Sequence, residues 1–210
     1  MAVLKDHWDK IYSTKELHTL GWYEKVPEKS LELIRSLDLN ANDLIFDAGA
    51  GVSYLPDNLM KLGFRNLILT DISAVALRKL KDRLNVQSNE VDIKYIQDNL
   101  GDPKALNSVS NVMLWHDRAV LHFLTDDDQR QNYVRLLRNL VLKKGYVLIA
   151  EFSLDGATKC SGLEVERYSS ESIQKLLGED FQLIKEFSFI YQMPSGDKRP
   201  YVYTLWKRSN

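Results

Sequence analysis

An α/β fold built on a mostly parallel sheet is predicted by three features of the sequence. Strand-like and helix-like patterns alternate along the chain, as they do in layered α/β proteins. The apolar run Leu44-Ile45-Phe46 meets Asp47 and then Gly49-Ala50-Gly51, which reads as a buried strand feeding a glycine turn and then a helix. Three successive strand-like runs end in aspartate, at Asp47, Asp71 and Asp98.

The elements follow in order. Trp8 and Tyr12 lie four residues apart, so a helix puts them on one face. Trp22 and Tyr23, between Gly21 and Pro27, read as a loop. Residues 28–37 read as a helix with Leu31, Leu33, Ile34 and Leu37 apolar. After the glycine turn comes a second strand, 67–71, and then Ser73, which caps a helix carrying Leu77, Leu80 and Leu84 on one face. A third strand, 91–97, leads to Asp98-Asn99, and a fourth, 111–115, runs into His116-Asp117-Arg118. Thr125, followed by three aspartates, reads as the N-cap of a helix that turns Tyr133, Val134, Leu137 and Leu140 inward and stops before Gly145. A fifth strand follows. In the tail, 181–193 and 199–207 are strand-like. Their link, 194–198, is too short for a parallel crossover, so the two pair antiparallel.

Composition narrows the function. The chain has 210 residues, enough for one sizeable core. With 28 basic and 29 acidic residues and a formal net charge of −1, it shows no charge block of the kind that grips nucleic acid. The single cysteine, Cys160, forms no internal disulfide and suits a reducing compartment. No apolar run is long enough to span a membrane, and the N-terminus lacks an apolar signal core. A cytoplasmic protein is the expectation.

The glycine turn has two readings. As a dinucleotide fingerprint, its third small position would fall on Tyr54, which obstructs the close helix–strand packing that a glycine permits there. A Gly-x-Gly-x-small pattern ending at Ser53 fits better. Either way the turn lets a ligand approach the backbone, and a helix starting there would offer free N–H groups to an anionic part of it. Asp71, 20 residues after Gly51, is placed to accept two ribose hydroxyls.

These residues resemble a known family, the class I S-adenosylmethionine (SAM) dependent methyltransferases. The resemblance is carried by Asp47-Ala48-Gly49-Ala50-Gly51-Val52-Ser53, Thr70-Asp71-Ile72-Ser73, Gln97-Asp98-Asn99 and the turn and strand of residues 142–150. It implies a Rossmann-like, seven-stranded sheet with one antiparallel strand, the last strand inserted beside the fifth, and helices on both faces. It implies one domain over 1–210, with 1–40 a helical lid segment on a 41–210 core. It also implies SAM as cofactor and S-adenosylhomocysteine as product. Asp47, Gly49 and Gly51 would line the methionine end, Asp71 with Ile72 the ribose, Asp98 and Asn99 the adenine, and Trp22 the sulfonium or adenine, since aromatic faces attract cations.

The segment Trp115-His116-Asp117-Arg118-Ala119-Val120-Leu121-His122-Phe123 resembles a signature of a bacterial group of these enzymes, and Lys159-Cys160-Ser161-Gly162-Leu163 resembles a loop of the same group. His116 and Asp117, beyond the fourth strand, are the candidate catalytic residues. His116 would orient an acceptor, contact the cofactor or act as base; alternatively it caps a helix while Asp117 and Arg118 form a structural ion pair. His122 and Cys160 read as packing residues. His116, Asp117 and His122 would make an incomplete metal set, and no metal is expected. The acceptor is expected to be a small molecule or a protein. A protein-lysine subgroup is matched partially, with Asp117-Arg118-Ala119 where that group has Asp-Lys-Gly. A non-catalytic SAM-binding subunit is the remaining alternative.

Overall fold

The computed structural model of the chain describes residues 2–85 and 91–209. Seven strands form one sheet: β1 (Leu44–Ala48), β2 (Asn66–Asp71), β3 (Asp92–Gln97), β4 (Val112–Arg118), β5 (Val141–Phe152), β8 (Phe181–Gln192) and β9 (Lys198–Arg208). Two short strands, β6 (Lys159–Cys160) and β7 (Leu163–Glu164), pair as a separate ribbon. The sheet order is β3-β2-β1-β4-β5-β9-β8. Only β9 runs antiparallel to its neighbours, and as expected the last strand sits beside the fifth.

Helices α1 (Ala2–Thr14), α2 (Glu28–Arg35), α3 (Leu55–Lys61), α4 (Ala74–Leu84), α5 (Asp127–Leu140) and α6 (Ser170–Leu177) complete the fold. Side chains alternate across a strand, so the sheet buries two cores. On one face Phe46, Trp115, Val147 and Trp206 meet α5 and α6 through Tyr133, Leu137 and Ile173. On the other, Ile45, Leu69, Leu114 and Leu148 meet α2, α3 and α4 through Leu31, Leu59 and Leu80. A third cluster, Trp8, Ile11, Tyr12, Leu20 and Val52, packs α1 over the C-terminal ends of the strands.

Ser73 caps α4 as predicted, accepting from Ala76 N at 3.1 Å. The cap of α5 is Asp126, one residue after the predicted Thr125; its carboxylate accepts from Asp128 N and Gln129 N and complements the helix dipole as well. Helix α2 stops at Arg35, short of Leu37. The tail strands match the prediction within a residue. No helix among the described residues is long and apolar enough to cross a membrane.

Candidate functional site

Beyond β1 the chain leaves the sheet through Gly49 (φ +64°) and Gly51 (φ +53°). Both positions require glycine twice over. Their backbone lies in the left-handed region, and a Cβ on Gly49 would stand 2.2 Å from Val120 Cγ2, one on Gly51 2.6 Å from the Tyr12 hydroxyl. The side chains brought close belong to this chain: Tyr12 from α1, and Val120 from the turn after β4. Ala119 makes that turn at φ +65°, held by its N–H to Ala150 O at 2.9 Å. Helix α3 begins at Leu55, four residues after Gly51, with Tyr54 at its N-cap and two turns in all.

Asp71 is buried at the end of β2. Its Oδ2 accepts from Gly51 N at 2.9 Å and its Oδ1 from Ser73 N at 2.8 Å. Burial raises its pKa to about 6, against the lowering effect of these two bonds. Asp71 lines a cavity of about 290 Å³ over the strand C-termini, together with Gly49, Ile72, Asp98 and Asn99. Trp8, Tyr12 and Trp22 also line it, in edge-to-face contact with centroids 5.6 and 6.2 Å from the Trp22 ring. Arg118, Val120, Phe123, Phe152, Cys160 and Tyr201 line it on the β5–β9 side.

Asp98 lies on that cavity but directs most of its carboxylate at its own loop. Oδ2 accepts from the N–H groups of Lys104, Ala105 and Leu106, while Oδ1 accepts only from Asn99 N. Asn99 in turn accepts from Gly101 N.

A second cavity of about 60 Å³ adjoins the first at Gly49, Trp22 and Arg118. Asp47 and His116 line it as neighbours on β1 and β4. His116 Nδ1 lies 2.8 Å from Asp47 Oδ1, and Nε2 lies 2.9 Å from Ser30 Oγ. With Nδ1–H donated to the carboxylate, Nε2 accepts from the hydroxyl. The order Ser–His–Asp has the connectivity of a nucleophilic triad, but Ser30 is fully buried and lines neither cavity. The chain holds Asp47 in place, and leaves Asp47 Oδ2 buried with no partner among the described residues.

Arg118 does not pair with Asp117. One residue apart on β4, the two point to opposite faces. Arg118 Nη2 lies 3.2 Å from Glu24 Oε2, Nη1 donates to Trp22 O at 3.1 Å, and the guanidinium sits 5.0 and 5.1 Å from the ring centres of Tyr191 and Tyr201. Glu24 is itself raised by burial, an effect Arg118 opposes.

Asp117, a predicted catalytic residue, is fully buried on the α5 face and lines neither cavity. Tyr133 Oη donates to its Oδ2 at 2.7 Å, and Trp115 Nε1 donates to Tyr133 Oη at 3.0 Å. Val120 N donates to both Asp117 Oδ1 and Glu151 Oε1, at 3.0 and 3.2 Å. Burial raises both acids, Asp117 well above the usual range and Glu151 to about 8. The pair therefore carries a proton at neutral pH. His122 is fully buried beside it, Nδ1 2.8 Å from Glu151 Oε2.

The structure thus brings Asp47, Gly49, Asp71, Ile72, Asp98, Asn99 and Trp22 to the two adjoining cavities, whereas Gly51 lines neither and lies against the Tyr12 hydroxyl. It adds Tyr12, Glu24 and Arg118 to them, and removes Asp117. Glu151 repeats the strand-end acid signal on β5 that flagged Asp47, Asp71 and Asp98, and was legible by that rule. Ser30 carried no signal.

No family model matches the sequence, and no curated protein matches it significantly. Solved structures do match the fold. A SAM-dependent methyltransferase from Anabaena variabilis superposes with TM-score 0.74 at 17% identity over 99% of this chain and 94% of that one. The 1,6-didemethyltoxoflavin-N1-methyltransferase of Burkholderia thailandensis, solved with 1,6-didemethyltoxoflavin and S-adenosylhomocysteine, gives 0.74 at 15% over 100% and 88%. The N-methyltransferase NodS of Bradyrhizobium japonicum, solved with S-adenosylhomocysteine, gives 0.71 at 13% over 98% of each chain. The fold is that of class I methyltransferases.

Proposed function

We propose that this protein is a SAM-dependent methyltransferase of the cytoplasm acting on a small molecule. The observation that carries the reading is the pattern of charge in the two joined cavities where the sheet order reverses between β1 and β4, the position at which open α/β sheets bind ligands. The smaller cavity offers a complement to an amino acid zwitterion: Arg118 for the carboxylate, with Glu24 and the unpartnered Asp47 Oδ2 for the ammonium. The larger offers Asp71, oriented by Gly51 and Ser73, for two ribose hydroxyls, and the open side of Asp98 Oδ1 for an adenine amino group. Bound there, SAM supplies an electrophilic methyl on a sulfonium.

The chain's own residues supply position rather than acid–base chemistry. Tyr12, Trp8 and Trp22 exclude water and face the sulfonium charge with aromatic rings. The N-terminal segment acts as a lid through α1, whose Asp9 accepts from Ser73 Oγ at 2.5 Å and Val75 N at 3.3 Å, tying α1 to the start of α4, whereas α2 packs into the core. His116 positions Asp47 and is not a base, because both its ring nitrogens are engaged.

Calorimetric titration with SAM, S-adenosylhomocysteine and NAD tests the reading. SAM and its product should bind and NAD should not; tighter NAD binding would overturn it. Mass spectrometry of a cell extract incubated with the protein and methyl-labelled SAM then identifies the product.

A further inference from the structure

The two sides of the larger cavity differ in charge. Asp71 and Asp98 line the β2–β3 side. On the β5–β9 side the lining includes no acid, and Lys159 and Arg199 stand there, with Lys15 contributed from the end of α1. Lys159 is paired with Glu164 at 2.7 Å, but both are exposed and the pair is water-screened. Arg199 donates only to a backbone carbonyl, Lys198 O, and neither it nor Lys15 has an acidic partner among the described residues. The same side of the wall is otherwise apolar, with Phe123, Phe152 and Tyr201, the last two edge-to-face at 5.1 Å.

Among the described residues that end is lined by no carboxylate or imidazole. His122 is sealed behind Phe123 and Phe152, with ring centroids 4.3 and 4.6 Å away. Burial raises the Tyr12 and Tyr201 phenols, so both are protonated at neutral pH. A protein-lysine ammonium entering here would meet like charge and find nothing to deprotonate it.

We propose that the methyl acceptor is a small organic anion with an apolar body, lying against Phe123, Phe152 and Tyr201 with its acidic group among Lys15, Lys159 and Arg199. Transfer forms a bond from the acceptor's lone pair to the methyl carbon as the carbon–sulfur bond breaks and its electron pair stays on sulfur. An acceptor that attacks through an ionised atom has no proton to lose, and the sulfonium charge cancels its own.

The proposal rests on the methyltransferase reading, and binding separates the two. Protein saturated with S-adenosylhomocysteine is titrated with 2-naphthoate, 2-naphthylmethanol and 2-naphthylmethylamine, which share a body and differ in charge. Naphthoate should bind about tenfold tighter than the alcohol, and the amine weakest. Lys159→Glu and Arg199→Glu should each weaken naphthoate about tenfold at low salt, with S-adenosylhomocysteine affinity unchanged. If S-adenosylhomocysteine binds and the three probes bind alike, or the amine binds best, the anionic acceptor is refuted while the methyltransferase reading stands. If S-adenosylhomocysteine itself does not bind, both fall.

Discussion

In the proposed function Asp71 carries the ribose contacts in one side chain. Each oxygen already accepts one backbone N–H and keeps a lone pair for a ligand hydroxyl. Replacing it by alanine should weaken SAM binding by about 1–3 kcal/mol, the usual cost of leaving donors without a charged acceptor; unchanged affinity in a folded variant would refute the assignment. Because burial raises Asp71 to about 6, its carboxylate is half protonated in the mildly acidic range. Ligand hydroxyls favour the ionised form. SAM affinity measured by calorimetry should therefore rise between pH 5 and 7.5, and Asp71→Asn should flatten that rise.

Two elements meet at the glycine turn, and their fit is testable as a pair. An alanine at Gly51 meets both a left-handed backbone, costing about 1–2 kcal/mol, and the Tyr12 hydroxyl. Gly51→Ala should lower the melting temperature, and adding Tyr12→Phe should recover the part due to the clash but not the part due to φ. A double-mutant cycle that showed simple additivity would deny the contact. One turn earlier on α1, Asp9 anchors the helix to the start of α4. Asp9→Ala should speed S-adenosylhomocysteine dissociation in stopped-flow measurements while leaving the core's circular dichroism intact.

Across the whole molecule, the buried acids under the sheet tie stability to pH. Glu151 ionises at 4.5 when unfolded and at about 8 in the fold, so between these values the folded state holds a proton the unfolded state has lost. Its contribution is fully present below 4.5 and declines as pH rises towards 8, by at most about 1.4 kcal/mol per unit. Melting temperatures should fall over that window relative to a Glu151→Gln variant, which cannot ionise. Equal slopes would place the shared proton elsewhere.

The sequence by itself determined the sheet, the order of its elements and most residues that line the larger cavity over the strand ends. Those features are written in short-range patterns: alternation of strand and helix, glycines forced by a turn, a Ser73 cap, aspartates at strand ends. It also placed His116 to Arg118 after the fourth strand, where they would all face the ligand. Only the tertiary structure showed that β4 continues through them to Arg118. That continuation imposes a two-residue alternation, turning His116 and Arg118 towards α2 and Asp117 towards α5. Partners far apart in the chain then fixed their roles: Ser30 and Asp47 for His116, Glu24 for Arg118, Tyr133 and Glu151 for Asp117. Which side of a strand a residue faces depends on where that strand ends, and strand ends are set by long-range pairing that no local pattern records.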